Sequence, residues 1–118
     1  MMAHIRIKNL QIRTFIGFNP EELVNKQNVV INIDIETGIS PAALEKDDPE
    51  EIYDYKRITK QVISMVEEGR FKLLEVLTRK ILDLILEDKR VRKVRVEVDK
   101  PRALRFAESV SVEMEAEQ

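Results

Sequence analysis

The chain has 118 residues, of which 43% are hydrophobic and 36% are charged. This length and composition predict one globular domain over residues 1–118 and exclude a disordered or fibrous protein. The 20 basic and 22 acidic side chains are interspersed, so we expect neither nucleic acid nor a membrane as partner. Cysteine is absent, which excludes disulfides and thiolate zinc sites, and no signal-peptide pattern opens the chain, which favours a cytoplasmic location.

The beginning of the chain predicts two β-strands. Apolar and polar residues alternate from about residue 4 to residue 18, but the alternation changes phase at Lys8-Asn9, as it does at a β-bulge. A second segment alternates without interruption over residues 29–36. Both segments therefore have the pattern of strands that bury one face.

The middle of the chain has helical periodicity. Two apolar stripes follow each other, one formed by Ile58, Val62, Met65 and Val66 and the next by Leu73, Leu77, Ile81 and Leu84. Gly69 lies between them and is a natural helix C-cap. The acidic segment 47–51 contains Pro49 and predicts a capped helix start, which begins either the helix itself or only one short turn before Tyr53.

Two more strands are predicted near the end, over Arg92–Val98 and around Val110–Met114. Pro101 directly follows Lys100, and we expect the strand to break there and to leave the lysine at a sheet edge. The element order ββααββ predicts an α+β fold, with an antiparallel four-stranded sheet and both helices on one face. The opposite, polar face either meets water or lines a closed ring of subunits joined edge to edge.

Several kinds of catalytic site are excluded by composition. His4 is the only histidine and we expect it on the surface, so neither a metal site nor a serine triad is predicted. Three glycines cannot supply a phosphate-binding loop of the nucleotide-binding kinds. Acids, tyrosines and lysines remain as the candidates for chemistry.

Each of these candidates has a structural and a functional interpretation. Glu75 either pairs with Arg79 on the helix surface or offers two acceptors to a planar N–H edge. Tyr53 and Tyr55 either pack as half-buried anchors or stack on a flat ring. Glu22 lies in a turn that is either solvated or catalytic. Lys100 either protects a sheet edge or acts as a base.

Five segments of the sequence, taken in order, resemble the dihydroneopterin aldolase family along nearly the whole chain. They are IRIKNLQIRTFIGF, PEELVNKQ, YKRITKQV, GRFKLLEVL and VEVDKPRALRFAESVSVEM. Within that family RTFIG, GRFxLLExLT and ALRFAESVS are most similar to the dihydroneopterin triphosphate 2′-epimerase branch. The resemblance implies the tunnelling fold (T-fold), in which four subunits close one barrel, two rings stack into a homo-octamer, and pterin sites lie at subunit boundaries.

The resemblance also implies roles for individual residues. Glu75, assisted by the backbone near Leu74, matches the carboxylate that anchors the pterin, and Tyr55, with Asp54 beside it, matches the site tyrosine. Lys100 matches the lysine that handles the side-chain hydroxyl proton, and Glu22 matches its acidic partner. We expect phosphate contacts from the cations Arg102, Arg105 and Lys72. The turn at Phe18-Asn19-Pro20 and the acidic loop 44–51 depart from the epimerase branch, which leaves the length of the substrate open.

The activity implied is that of an enzyme without a metal or another cofactor. We expect epimerisation of 7,8-dihydroneopterin triphosphate at C2′ by retro-aldol and aldol steps. The alternative is 7,8-dihydroneopterin aldolase activity, and a third interpretation is a non-catalytic ring protein that only binds pterins.

Overall fold

The computed structural model describes all residues from 1 to 118. Its elements in chain order are β1 (Met2–Ile16), α1 (Pro20–Val24), β2 (Gln27–Gly38), α2 (Pro41–Lys46), a 3-10 turn (Pro49–Glu51), α3 (Tyr55–Glu68), β3 (Arg70–Phe71), α4 (Leu74–Leu86), β4 (Val91–Pro101) and β5 (Ser109–Glu117). None of the helices has the length and apolar character needed to cross a membrane.

The five strands form one mixed sheet in the order β3-β1-β2-β4-β5. All neighbours are antiparallel except β3, which runs parallel to β1 and pairs Arg70 and Phe71 with Phe15 and Ile16. The fold is therefore α+β, but the predicted antiparallel four-stranded sheet with only two helices is wrong. A two-residue strand is too short to produce a periodic pattern, so β3 could not be predicted from alternation.

The bulge in β1 lies where the phase change predicted it. Pairing with β2 shifts between Ile7, opposite Ile33, and Leu10, opposite Ile31. Asn9 has a φ of 54°, and its backbone N–H donates to the side chain of Asn32 at 2.9 Å. The extra residue restores the alternation, so that both halves of β1 bury their apolar side chains on the same face.

Helices α3 and α4 cover the apolar face of the sheet. Helix α3 buries Ile58, Val62 and Val66 as predicted. Helix α4 buries Leu77 and Ile81 as predicted, and its buried residues also include Leu74, Thr78, Leu82 and Ile85. Leu73 lies outside the core because it is the N-cap residue, with 45% of its surface exposed.

The acidic segment starts only one short turn, the second of the two predicted outcomes, and α3 begins after it. Asp48 caps only the 3-10 turn, by accepting from the N–H of Glu50 at 3.0 Å. Helix α3 begins at Tyr55, where the Asp54 side chain accepts from the N–H of Arg57 at 3.1 Å. Gly69 is the C-cap of this helix, as predicted.

Strand β4 does not break before Pro101, and the prediction that Lys100 stands at a sheet edge is wrong. Lys100 pairs with Val110, Pro101 pairs with Ser109, and β4 lies between β2 and β5. The missing N–H of a proline is tolerated at the last pair of a ladder, where no further bond has to be donated. The lysine is therefore held inside the sheet.

Candidate active site

Glu22 is held by the short helix α1. Asn19 accepts from the backbone N–H of Glu22 at 2.9 Å, and the Glu22 side chain accepts in return from the N–H of Asn19 at 3.5 Å. Pro20 occupies the first turn, as is common at helix starts. The spacing Asn-Pro-Glu-Glu is a capping-box signal, so this short helix could have been predicted where only a turn was expected.

Gly17 gives the Glu22 carboxylate its space. Its φ is +117°, a conformation that favours glycine, and a Cβ atom there would lie 2.2 Å from the carboxylate. The N–H of Gly17 donates to the carbonyl of Phe71 at 2.8 Å. Glycine is therefore required at this position both for the turn and for the approach of the glutamate.

The carboxylate of Glu22 forms an ion pair with the ammonium of Lys100. Gln27 positions the same carboxylate, because its amide donates to Glu22 at 3.0 Å and to the carbonyl of Ile16 at 2.8 Å. The hydrogen bond from Lys100, with a further one from Gln27, holds the pKa of Glu22 below its ordinary value of 4.5. The side chains of Lys100 and Glu22 are only 15% and 18% exposed. Their attraction is therefore weakened less by solvent than that of an exposed pair.

Lys100 reaches this position because of the alternation along β4. Val94, Val96 and Val98 are fully buried beneath the helices, and Lys100 follows them in the same phase. Its side chain therefore projects from the helix-covered face, at the point where the core ends. The alternation in the sequence therefore predicts the face of the sheet from which the Lys100 side chain projects.

Glu75 lies in the first turn of α4, and its side chain is exposed. The surface pair with Arg79 is not formed, because Arg79 bonds instead to Asp83 at 2.9 Å. Leu73 provides no side-chain cap, so the first N–H groups of the helix have no partner in the helix itself. A carboxylate beside free N–H groups can present acceptors and donors to one planar ligand edge.

The start of α4 lies at the same end of the sheet as the Glu22–Lys100 pair. Strand β3 pairs with the last residues of β1, and the bond from Gly17 to Phe71 joins the turn before α1 to the loop before α4. The structure thus brings Glu22, Lys100 and the segment of Leu74 and Glu75 to one end of the molecule.

Tyr55 lies at the opposite end of the same chain. The last turn of α3 is fixed near Glu22, since the Thr14 hydroxyl donates to the carbonyl of Val66 at 2.5 Å and Thr14 pairs with Gln27. Tyr55 begins this 14-residue helix, so the helical rise separates the two ends by about 20 Å. Tyr55 is 48% exposed, and Asp54 is occupied as the N-cap.

The neighbouring Tyr53 is a packing residue. It is 6% exposed, belongs to the hydrophobic core, and lies beneath the guanidinium of Arg90 at 5.9 Å. Burial raises its pKa to about 12. The interpretation of a tyrosine that anchors the core therefore holds for Tyr53, while Tyr55 remains available to a ligand or a partner.

The three cations expected at a phosphate lie in different surroundings. Arg102 has a φ of 60° and lines a groove of about 350 Å³ that also contains Asn19, Glu22 and Gln27. Arg105 lies over the ring of the fully exposed Phe106, at 5.6 Å. Lys72 is exposed just before α4. Only Arg102 shares a groove with Glu22, and the phosphate role of all three remains a prediction.

His4 lies on the polar face of the sheet, in the first strand. Its Nδ1 atom is 2.8 Å from Asp34, which also accepts from Arg6 at 3.2 Å. Partial burial raises the pKa of Asp34, but the interactions with His4 and Arg6 lower it. The pKa of Asp34 therefore lies below its ordinary value. No group of three or more His, Asp and Glu side chains is arranged to hold a metal ion.

The sequence and the fold are both similar to those of known proteins. The sequence matches the family described as "FolB: Dihydroneopterin aldolase" over residues 5–115. It is 55% identical over 113 residues to the dihydroneopterin triphosphate 2′-epimerase of Pseudomonas aeruginosa, covering 94% of this chain and 89% of the relative. The protein of the same name from Escherichia coli strain K12 is 46% identical over 110 residues, covering 93% and 91%. The crystal structure of E. coli dihydroneopterin aldolase in complex with neopterin has a TM-score of 0.89 at 29% identity, covering 97% and 98%.

Proposed function

Because the chain belongs to the dihydroneopterin aldolase family, we propose that it is an enzyme that epimerises 7,8-dihydroneopterin triphosphate at C2′. Two relatives that are 55% and 46% identical over most of their length carry that name, which supports the epimerase over the aldolase. The observation that carries the chemistry is the partly buried Glu22–Lys100 pair beside the start of α4.

The proposed reaction starts with cleavage of the C1′–C2′ bond of the substrate. The proton of the 2′-hydroxyl leaves, the oxygen becomes an aldehyde carbonyl, and the bonding electrons pass into the C6=N5 imine of the ring to form an enamine. The substrate itself accepts the electrons, so the protein has to hold the ring and move protons. If the aldehyde turns over and the enamine carbon attacks it again, the bond is restored with C2′ inverted.

The site residues divide these tasks. Lys100, as the neutral amine, takes the hydroxyl proton through a water molecule, and Glu75 with the N–H groups at Leu74 holds the planar amide and amine edge of the pterin. Glu22 and Tyr55 control protonation of the enamine. No metal or other cofactor takes part. Asp54 orients the segment that carries Tyr55, and Arg102, Arg105 and Lys72 are candidate phosphate contacts.

The proposed site is completed by a second copy of the chain. Tyr55 lies about 20 Å from the Glu22 end in one chain, by the rise of the helix between them, so the two parts cannot close on one ligand within it. Strand β5 and most of β1 have open outer edges, which suits edge-to-edge pairing between copies. We propose the T-fold assembly in which four chains close a ring and two rings stack, acting in the cytoplasm.

Two other functions share this site. Loss of the aldehyde and protonation of the enamine would make the protein an aldolase, the activity named for the E. coli structure bound to neopterin. A ring protein that binds pterins without turnover is the third candidate. Both would use the same pterin-holding residues.

The deciding experiment incubates the protein with 7,8-dihydroneopterin and with its triphosphate in parallel and separates the products by chromatography. We expect the C2′ epimer of the triphosphate as the main product. Release of glycolaldehyde from 7,8-dihydroneopterin, and of glycolaldehyde triphosphate from the triphosphate, at a higher rate than epimer formation would identify an aldolase. Pterin binding without either product would identify the non-catalytic protein.

A further inference from the structure

Two cations lie over one aromatic ring on the polar face of the sheet, and a third is bonded to the backbone beside them. We call Arg13, Lys26 and Arg70, around Phe15, the basic cluster. The Arg70 guanidinium lies 3.9 Å from the centre of the Phe15 ring, and the Lys26 ammonium lies 5.6 Å from it. A guanidinium nitrogen of Arg13 donates to the carbonyl of Lys26 at 3.1 Å, which places the third charge beside the backbone of Lys26.

The charge of the basic cluster is not neutralised within the chain. Four other arginines and Lys93 form ion pairs with carboxylates, whereas none of the three cluster cations does so. The chain as a whole carries a net charge of −2, so this concentration of positive charge is local. Like charges held close together repel each other, and the repulsion is relieved when an anion binds between them.

The cluster side chains are fixed by contacts with neutral groups. Arg70 donates to the carbonyl of Leu23 at 3.2 Å and stacks on Phe15, and Arg13 is anchored on the carbonyl of Lys26. Because an arginine has five N–H donors, each of these arginines keeps donors that could face a ligand. A preformed set of arginine donors is well suited to phosphate oxygens.

The basic cluster borders the candidate active site, because Arg70 donates to the carbonyl of Leu23, the residue after Glu22. Two cluster residues also neighbour site residues along the chain. Lys26 precedes Gln27, whose amide holds Glu22, and Arg70 precedes Phe71, whose carbonyl accepts from Gly17. Two of the segments that resemble the epimerase branch, RTFIG and GRF, contribute Arg13, Phe15 and Arg70. Residues from these two segments thus meet at one basic surface.

We propose that Arg13, Lys26 and Arg70 bind the triphosphate chain of the substrate. This inference rests on the proposed function and adds to it the residues that select a phosphorylated pterin. It assigns the phosphates to a different set of cations from Arg102, Arg105 and Lys72.

The first test measures binding of inorganic triphosphate by calorimetry to the wild type and to Lys26→Gln, Arg70→Gln and Arg92→Gln. Lys26 donates no side-chain hydrogen bond within the chain, so its replacement leaves the other contacts in place. Arg92 is an exposed arginine without an ion pair and is the matched control. We expect about tenfold weaker binding for each cluster variant, the loss of one charge-assisted hydrogen bond, and no change for Arg92→Gln.

The second test compares kcat/KM for the triphosphate and for unphosphorylated dihydroneopterin. In Lys26→Gln and Arg70→Gln we expect the ratio of the two values to fall about tenfold, because only one substrate carries the anion. Arg70 also contacts the carbonyl of Leu23, so its replacement can disturb Glu22. Both substrates use Glu22, and this indirect effect therefore cancels in the ratio of the two kcat/KM values. Arg102→Gln, measured beside them, tests the competing assignment.

The results decide the two proposals separately. Triphosphate binding that is absent, or that Arg92→Gln weakens as much as the cluster variants do, would overturn the cluster. A substrate ratio unchanged in the cluster variants but lowered by Arg102→Gln would also overturn it. If neither pterin is turned over, the proposed function fails, while the calorimetry still decides whether the cluster binds triphosphate.

Discussion

Lys100 and Glu75 have different tasks in the proposed reaction, and substitution should separate them. We expect Lys100→Ala to lower kcat at least about 100-fold with little effect on pterin affinity, since it removes a general base. Glu75→Ala should instead weaken pterin binding about 10- to 100-fold, because it removes charge-assisted acceptors. Lys60→Ala, on an exposed turn of α3, is the control. An active Lys100→Ala enzyme, or unchanged pterin affinity in Glu75→Ala, would remove the corresponding role.

The Glu22–Lys100 pair should make stability depend on pH in the acid range. The pKa of Glu22 lies below its ordinary value of 4.5 in the folded chain, so the unfolded chain binds the proton first as the pH falls. The stabilisation is therefore complete above about pH 4.5 and is lost as the pH falls through the lowered value. We expect urea unfolding to show that wild type exceeds Glu22→Gln in stability at pH 7 and that this difference shrinks toward pH 3. A difference that is independent of pH would show that the carboxylate charge contributes nothing.

At the scale of elements, the turn between β1 and α1 decides where Glu22 stands. Gly17→Ala should destabilise the fold by about 1–3 kcal/mol, since alanine is strained at its positive φ. It should also lower activity, because the added Cβ would displace the Glu22 carboxylate. Gly38→Ala is the matched control, as the nearest atom to its Cβ is a methionine sulfur at 3.9 Å. Thermal unfolding and turnover of both variants check this, and equal behaviour would contradict it.

The start of α3 carries two possible roles for Asp54, as a helix cap and as a ligand contact. Asp54→Ala should cost about 1 kcal/mol of stability because the N–H of Arg57 loses its acceptor. Asp54→Asn keeps an oxygen acceptor and should retain stability. Chemical denaturation measures the first effect, and the KM of the asparagine variant measures any contact with substrate. An unchanged KM would restrict Asp54 to the cap.

At the scale of the whole molecule, the separation of Tyr55 from Lys100 requires two chains for each site. Lys100→Ala and Tyr55→Phe should each be nearly inactive alone, yet mixed subunits refolded together should regain activity. Random mixing leaves both wild-type side chains at about a quarter of the boundaries between neighbours in a closed ring. We expect up to that fraction of wild-type turnover, measured after gel filtration of the mixed assembly. No recovery in mixed rings would place the whole site within one chain.

Much of the fold and the identity of the candidate residues could be predicted from local pattern. Alternation with a period of two located the four long strands and the bulge at Lys8-Asn9. It also predicts the face from which Lys100 projects, because Lys100 is in phase with the buried valines of β4. Leu73 was wrongly included in the buried stripe of α4 because it belongs to the cap, and β3 was missed because two residues are too few to show a period.

What only the tertiary structure decided is which of these residues meet. The Glu22–Lys100 pair joins residues from α1 and β4, and the basic cluster joins β1, β3 and the residue before β2. The sequence determined each element through local periodicity and capping, which depend on neighbours along the chain. Contacts between distant segments depend on sheet order and register, and those are set by burial of the whole apolar face at once.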